Sequence, residues 1–191
     1  MLAYDFDYPE LCLQKGDGSL IEAVSERISG YLYRHNDRRN VSQEVMKFAL
    51  IGLLTNGCVI VLSLIIGWLG GNFSATLLSL ASMAALRLLA GGYHINPPSL
   101  CIVLSTAAVT LIPYIPAGKP VLYVFTAISA LLVWRFAPAD LRGKTRISER
   151  TLQQMKYGAL LLVASSLFIQ SGIMATALFL VSLTLIPIKR R

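Results

Sequence analysis

The chain has 191 residues, of which 55% are hydrophobic and 14% charged, and its mean hydropathy is +0.63. This composition predicts a membrane protein rather than a soluble domain. The net charge of +7 does not indicate a nucleic-acid partner, because the basic residues lie beside hydrophobic segments; anionic lipid headgroups account for most of it. The three cysteines are an odd number and give no disulfide framework.

Residues 1–43 are predicted to form an N-terminal cytoplasmic or interfacial amphipathic region. Ser19 and Glu22 have the spacing of a capping box, so a helix is expected to begin there. Its apolar positions recur at helical spacing: Leu20, Ile21, Val24, Ile28, Tyr31 and Leu32. Such a helix lies on the inner membrane surface, packs on the spanning helices, or docks a second amphipathic helix, and the pattern leaves these alternatives open.

Residues 44–191 are predicted to form a transmembrane domain with six hydrophobic stretches, some of them shorter than the ideal of about 20 residues. These stretches are Met46 to Leu69, Ala75 to Ala90, Leu100 to Ala117, Val121 to Phe136, Tyr157 to Ile169 and Ile173 to Ile188. No acidic residue occurs between Val45 and Ala139, which argues against an ion-coupled carrier. The predicted fold class is therefore an all-α polytopic membrane protein with about six hydrophobic helices and an N-terminal amphipathic interfacial helix.

Basic residues predict the orientation, because lysine and arginine beside short loops are retained in the cytoplasm. Clusters precede the first stretch (Arg27, Arg34, Arg38, Arg39, Lys47), separate the fourth from the fifth (Arg135, Arg142, Lys144, Arg146, Arg150, Lys156) and follow the sixth (Lys189, Arg190, Arg191). The loops on the opposite side contain one base, Lys119. A multi-pass protein of the cell membrane with both termini in the cytoplasm is expected, and the loop from Gly91 to Ser99 faces the same side.

A possible nucleophile and a possible base lie close together in the segment from Arg87 to Cys101. Asn96-Pro97-Pro98-Ser99 is typical of a helix start, so Cys101 is expected in or near the first turn. Unpaired N–H groups at a helix start stabilise a thiolate, and the imidazole of His94 is a candidate acceptor for the thiol proton. The alternative is that Cys101 only packs as a small apolar residue.

Charged residues around this pair allow two interpretations each. Arg87 either snorkels to lipid phosphates or binds a substrate carboxylate or a developing oxyanion. Lys144 and Arg146 lie in a basic loop that is either merely solvated or holds an acidic peptide tail. Asp140 either pairs with a neighbouring base or orients His94.

The series Arg87, Gly91-Gly92-Tyr93-His94 and Cys101, followed by Phe136-Ala-Pro-Ala-Asp140 and basic residues, resembles the AgrB family over most of the chain. The resemblance implies a membrane-embedded cysteine endopeptidase that trims an AgrD-like signal-peptide precursor on its C-terminal side and helps to close a thiolactone ring. It implies that Cys101 is the nucleophile, that His94 is the base, and that Arg87 and Gly92 support them. Family members usually have a proline followed by an aliphatic residue after the basic stretch, whereas this chain reads Lys144-Thr145-Arg146-Ile147. This difference affects the expected conformation of the loop and its preference for a precursor.

Two other function classes remain possible from the sequence: a peptide exporter in which Arg87 binds substrate and Cys101 packs, and a lipid-binding scaffold without chemistry. The peptidase interpretation requires no metal ion and no cofactor. Its expected partners are the AgrD-like precursor, a bilayer with anionic headgroups and a second copy of the chain in a homodimer, and no nucleic acid.

Overall fold

The computed structural model of this protein describes residues 20–35, 42–92, 97–139 and 148–186, which form seven α-helices. In chain order they are α1 (Leu20–His35), α2 (Gln43–Leu69), α3 (Phe73–Ala90), α4 (Pro98–Leu111), α5 (Lys119–Phe136), α6 (Glu149–Ile169) and α7 (Gly172–Leu183). A short 3-10 turn, Ile112–Tyr114, follows α4. No strand is present among these residues, which confirms the all-α prediction; an isolated bridge joins Gly91 and Ala139.

Each of the six predicted hydrophobic stretches coincides with one helix from α2 to α7. Four of them, α2, α3, α5 and α6, are long and apolar enough to cross a membrane, which confirms a membrane protein. The other two are shorter than predicted: α4 ends at Leu111, where the 3-10 turn that contains Pro113 begins, and α7 has 12 residues. At 1.5 Å per residue α7 is about 18 Å long, against a hydrocarbon layer of about 30 Å.

The described residues divide into two compact units. Unit 1 comprises those within Met1–Val59 and Ile95–Val103, and unit 2 those within Ile60–His94 and Leu104–Arg191.

Helix α1 in unit 1 buries its small polar residues and exposes its apolar ones. Ser25 and Ser29 are fully buried, and Lys47 at the start of α2 donates a 2.9 Å hydrogen bond to Glu26 Oε2. Exposed apolar side chains run along the helix at the predicted spacing: Leu20, Val24, Ile28, Tyr31 and Leu32. The described helix therefore has an amphipathic surface, and we expect its apolar side to lie on lipid.

Helix α7 forms the core of unit 2, where it packs against α3, α5 and α6. Its sequence is apolar on all sides, as expected for a helix surrounded by other helices. The buried cluster around it contains Leu86, Ala90, Val133, Ala137, Ala159, Val163, Met174, Leu178, Val181 and Leu185. The Ser171 hydroxyl caps α7 by accepting a 3.3 Å hydrogen bond from the Met174 N–H.

Small polar residues add hydrogen bonds to the apolar contacts between these helices. The hydroxyls of Thr126 on α5 and Ser166 on α6 lie 2.9 Å apart, and Ser182 on α7 donates to Ser129 on α5 at 3.4 Å. Small side chains let helix backbones approach closely in a membrane, and hydroxyls then bond across the contact. Each hydroxyl of the Thr126–Ser166 pair also donates to a carbonyl oxygen of its own helix, at 2.7 to 2.8 Å. The pair has two protons for three hydrogen-bond contacts, so one proton is shared between two acceptors.

We expect the Thr126–Ser166 contact to contribute little to stability, because the proton between the two hydroxyls is shared with a backbone carbonyl. A double-mutant cycle with Thr126→Val and Ser166→Ala, followed by unfolding in mixed detergent, should give a coupling free energy of about 0.6 kcal/mol. Thr110→Val is the control, because the Thr110 hydroxyl bonds to Thr106 within its own helix. A coupling above about 2 kcal/mol would contradict this account.

Candidate functional site

Cys101 lies in the first turn of α4, as predicted, and belongs to unit 1. Pro98 is the first helical residue, and the carbonyl of Pro97 accepts hydrogen bonds from the N–H groups of Leu100 at 3.1 Å and Cys101 at 3.2 Å. Proline starts a helix well because its fixed φ suits the first turn. The side chain of Cys101 is buried, with 6% of its surface exposed.

The two prolines at the start of α4 limit what the backbone offers to an anion. An ordinary helix start presents four backbone N–H groups without intrahelical partners. Here two of these four positions are Pro97 and Pro98, which have no backbone N–H group. The remaining donors are Ser99 and Leu100, and the Leu100 N–H is bonded to the Pro97 carbonyl. A nucleophilic role for Cys101 therefore depends chiefly on an external base that accepts the thiol proton.

Arg87 lies in the last turn of α3, in unit 2, and is partly buried. Its neighbour Leu86 is fully buried, whereas Leu88 is 76% exposed, so Arg87 lies at the edge of the core. A guanidinium at this end of a helix interacts favourably with the C-terminal carbonyl dipoles. The Arg87 carbonyl accepts the Gly91 N–H at 3.0 Å, which ends the helix.

Gly91 and Gly92 form a tight junction in unit 2 with the chain after α5 and after α7. Their φ angles are +74° and +139°, a region that side chains rarely adopt. Gly91 is bridged to Ala139, whose N–H donates to the Ala90 carbonyl at 2.8 Å. A Cβ on Gly91 would collide with the Ala139 carbonyl oxygen, and one on Gly92 would lie 2.8 Å from Thr184 Oγ1. Both positions therefore require glycine.

This junction fixes the backbone from which two predicted site residues continue. His94 follows Gly91 by three residues, and Asp140 follows Ala139 directly. Sequence reasoning did not identify Ala139 or Thr184 as part of this arrangement. The small size of Ala139, directly after Pro138, was a weak signal of a close backbone contact, and no sequence signal pointed to Thr184.

The predicted site residues are thus only partly described. Arg87 and Gly92 lie in unit 2 at the end of α3, and Cys101 lies in unit 1. His94, Asp140, Lys144 and Arg146 lie outside the described residues. The pairing of His94 with Cys101 and the supporting roles of the other three residues therefore stay predictions. Cys58 and Cys101 are not joined in a disulfide, and no group of metal-ligating side chains occurs within the described ranges.

A family model described as accessory gene regulator B matches residues 25–188 of the chain. A relative from Halalkalibacterium halodurans, provisionally named an AgrB-like protein, is 27% identical over 120 residues, which are 62% of this chain and 61% of the relative. A second, from Clostridium perfringens and named in the same way, is 25% identical over 166 residues, 80% of this chain and 74% of the relative. No solved structure matches significantly.

Proposed function

The chain belongs to the accessory gene regulator B family, and from this we propose that it is a membrane-embedded cysteine endopeptidase of agr quorum sensing. Its substrate is a short AgrD-like precursor, cleaved on its C-terminal side. The observation that carries the proposal is the buried thiol of Cys101 in the first turn of the apolar helix α4. The sequence resemblance implies that this residue is the family's nucleophile.

The proposed reaction begins with attack of Cys101 Sγ on the scissile carbonyl carbon while His94 accepts the thiol proton. Collapse of the tetrahedral intermediate breaks the C–N bond, and His94 returns the proton to the departing amine. The C-terminal fragment leaves, and the N-terminal part remains as a thioester on Cys101. A thiol within the precursor then attacks this carbonyl, closes a thiolactone ring and regenerates the Cys101 thiol.

Burial of Cys101 supports ring closure over hydrolysis. Only 6% of the side chain is exposed, so water has limited access to a thioester formed there. A precursor thiol held beside the thioester has an effective concentration far above that of a free thiol in solution, because its translational freedom is already lost. An exchange of one thioester for another requires no further energy source.

The remaining predicted residues take supporting roles in this proposal. Asp140 accepts a hydrogen bond from the His94 ring and orients it. Arg87 binds a carboxylate of the precursor or the developing oxyanion. Lys144 and Arg146 attract the precursor's acidic tail, and Gly92 provides the close backbone contact described above.

The proposal places both termini and the reacting groups on the cytoplasmic side of the cell membrane, where thiols stay reduced, and includes a homodimer. The alternatives from the sequence are a peptide exporter and a lipid-binding scaffold. Neither requires a covalent bond between Cys101 and a peptide, so detection of such a bond separates them from the peptidase.

The test uses the full chain in membrane vesicles with a precursor encoded beside its gene. Mass spectrometry is expected to detect a released C-terminal fragment, a cyclic product and a transient peptide adduct on Cys101 that neutral hydroxylamine removes. A precursor that stays intact, or one cleaved while Cys101 never carries an adduct, would overturn the proposed mechanism.

A further inference from the structure

An apolar groove runs between α5 and α6 in unit 2, with a volume of about 230 Å³. The groove exists because the side chains along it are small: Ala127 and Ala130 on α5 and Ala164 on α6. Its sides are formed by Tyr123, Leu160 and Leu167. Val163 and Thr126, beneath these, are buried, so the floor of the groove is closed. An apolar channel on the outer side of two spanning helices opens towards lipid.

A basic and aromatic cluster lies at one end of this groove. The two helices are antiparallel, and the Thr126–Ser166 contact sets their register, so the groove leads from Ala130 and Leu160 towards Trp134 and Lys156. Lys156 Nζ lies 4.8 Å above the Trp134 ring centroid, a cation–π contact that holds the ammonium at this end.

The charge at this end is predominantly positive. Arg135 lies 5.3 Å from the Phe136 ring centroid, and Arg150 lies in the first turn of α6. Within residues 134–139 and 148–157 these two bases and Lys156 stand against one acid, Glu149. Trp134 and Tyr157 are each 58% exposed, as is typical of aromatic residues at the level of lipid headgroups.

We propose that the groove between α5 and α6 is a binding site for one anionic phospholipid, with the phosphate beside Lys156 and an acyl chain along Ala130 and Ala164. The combination of a positive end and an apolar channel matches the two parts of such a lipid. A soluble anion would use the charge but not the channel. This inference does not depend on the proposed peptidase activity.

Charge favours a lipid over a second copy of this protein in this groove. A second copy of this protein in the same membrane has the same orientation. A symmetric contact through this face would therefore bring Lys156 and Arg135 close to their own counterparts, which is electrostatically unfavourable.

The test measures lipid retained by the purified full-length protein, using native mass spectrometry in detergent with added phosphatidylglycerol or phosphatidylcholine. The unaltered protein is expected to retain phosphatidylglycerol preferentially. Lys156→Gln should weaken that retention about fivefold, as expected for one base near a headgroup. Lys119→Gln is the matched control, because it removes the same charge from the opposite end of α5.

A second variant, Ala164→Phe, fills the channel and should reduce retention of both lipids while leaving helical content unchanged. Equal retention by Lys156→Gln and the unaltered protein, or equal weakening by Lys119→Gln, would overturn the proposal. Displacement of the lipid by glycerol phosphate alone would show that the channel is not used. A dimer that Ala164→Phe disrupts without changing lipid retention would assign the groove to a second copy instead.

Discussion

Replacement of Cys101 by alanine is expected to abolish precursor cleavage, with a loss of at least about 10³-fold in rate. The reason is that the proposed acyl-enzyme requires the Cys101 sulfur. Cys101→Ser should be almost as inactive, because a hydroxyl is a far weaker nucleophile than a thiol at neutral pH. The measurement is the rate at which the C-terminal precursor fragment appears in membrane vesicles, followed by mass spectrometry.

Cys58→Ala is the matched control for this experiment, because Cys58 is a second cysteine outside any disulfide and lies within α2. The activity of Cys58→Ala should stay within about twofold of the unaltered protein, because replacing a partly exposed thiol by a methyl group changes stability little. Export of intact peptide that survives in Cys101→Ala would support the exporter. Cleavage that persists in Cys101→Ala would refute the peptidase mechanism.

Replacement of Gly91 by alanine is expected to destabilise unit 2 and to remove activity with it. The backbone conformation of Gly91, with φ +74° and ψ −148°, is essentially restricted to glycine and alone costs a side chain about 1 to 3 kcal/mol. The added Cβ also collides with the Ala139 carbonyl oxygen, and relief of that overlap requires the chain after α5 to move. Overpacking of this kind adds about 1 to 3 kcal/mol.

Gly71 supplies the control that separates these two costs. Its φ angle is +70°, but nothing lies within 4 Å of the position that a Cβ would occupy. Gly71→Ala should therefore show the backbone cost only, and unfolding in mixed detergent should find Gly91→Ala less stable than Gly71→Ala by about 2 kcal/mol. Equal stability of the two variants would mean that the contact between Gly91 and Ala139 does not constrain the protein.

The helices were predictable because their signal is local. Long apolar runs define α2, α3 and α5 directly, and the amphipathic repeat defines α1. The first-turn position of Cys101 also followed from local chemistry, since Pro97 and Pro98 favour the start of a helix. Each of these predictions required only residues adjacent in the chain.

The arrangement of the helices was not predictable, because it depends on contacts between distant residues. The hydropathy of α7 resembles that of any spanning segment, yet this helix is short and lies at the centre of unit 2. The small residues that join helices, Ser129 and Ser182, have no distinctive local pattern. Likewise Thr184 opposes Gly92 across 92 positions of sequence, and only the fold brings them together.

The central position of α7 has a consequence for the way in which the protein responds to bilayer thickness. Most of α7 is buried against α3, α5 and α6, so the bilayer constrains its length of about 18 Å less than that of a lipid-facing helix. Thicker or thinner bilayers change the tilt of lipid-facing helices such as α5 and α6, at a modest free-energy cost per ångström. We therefore expect a change in bilayer thickness to alter the tilt of the outer helices more than that of α7.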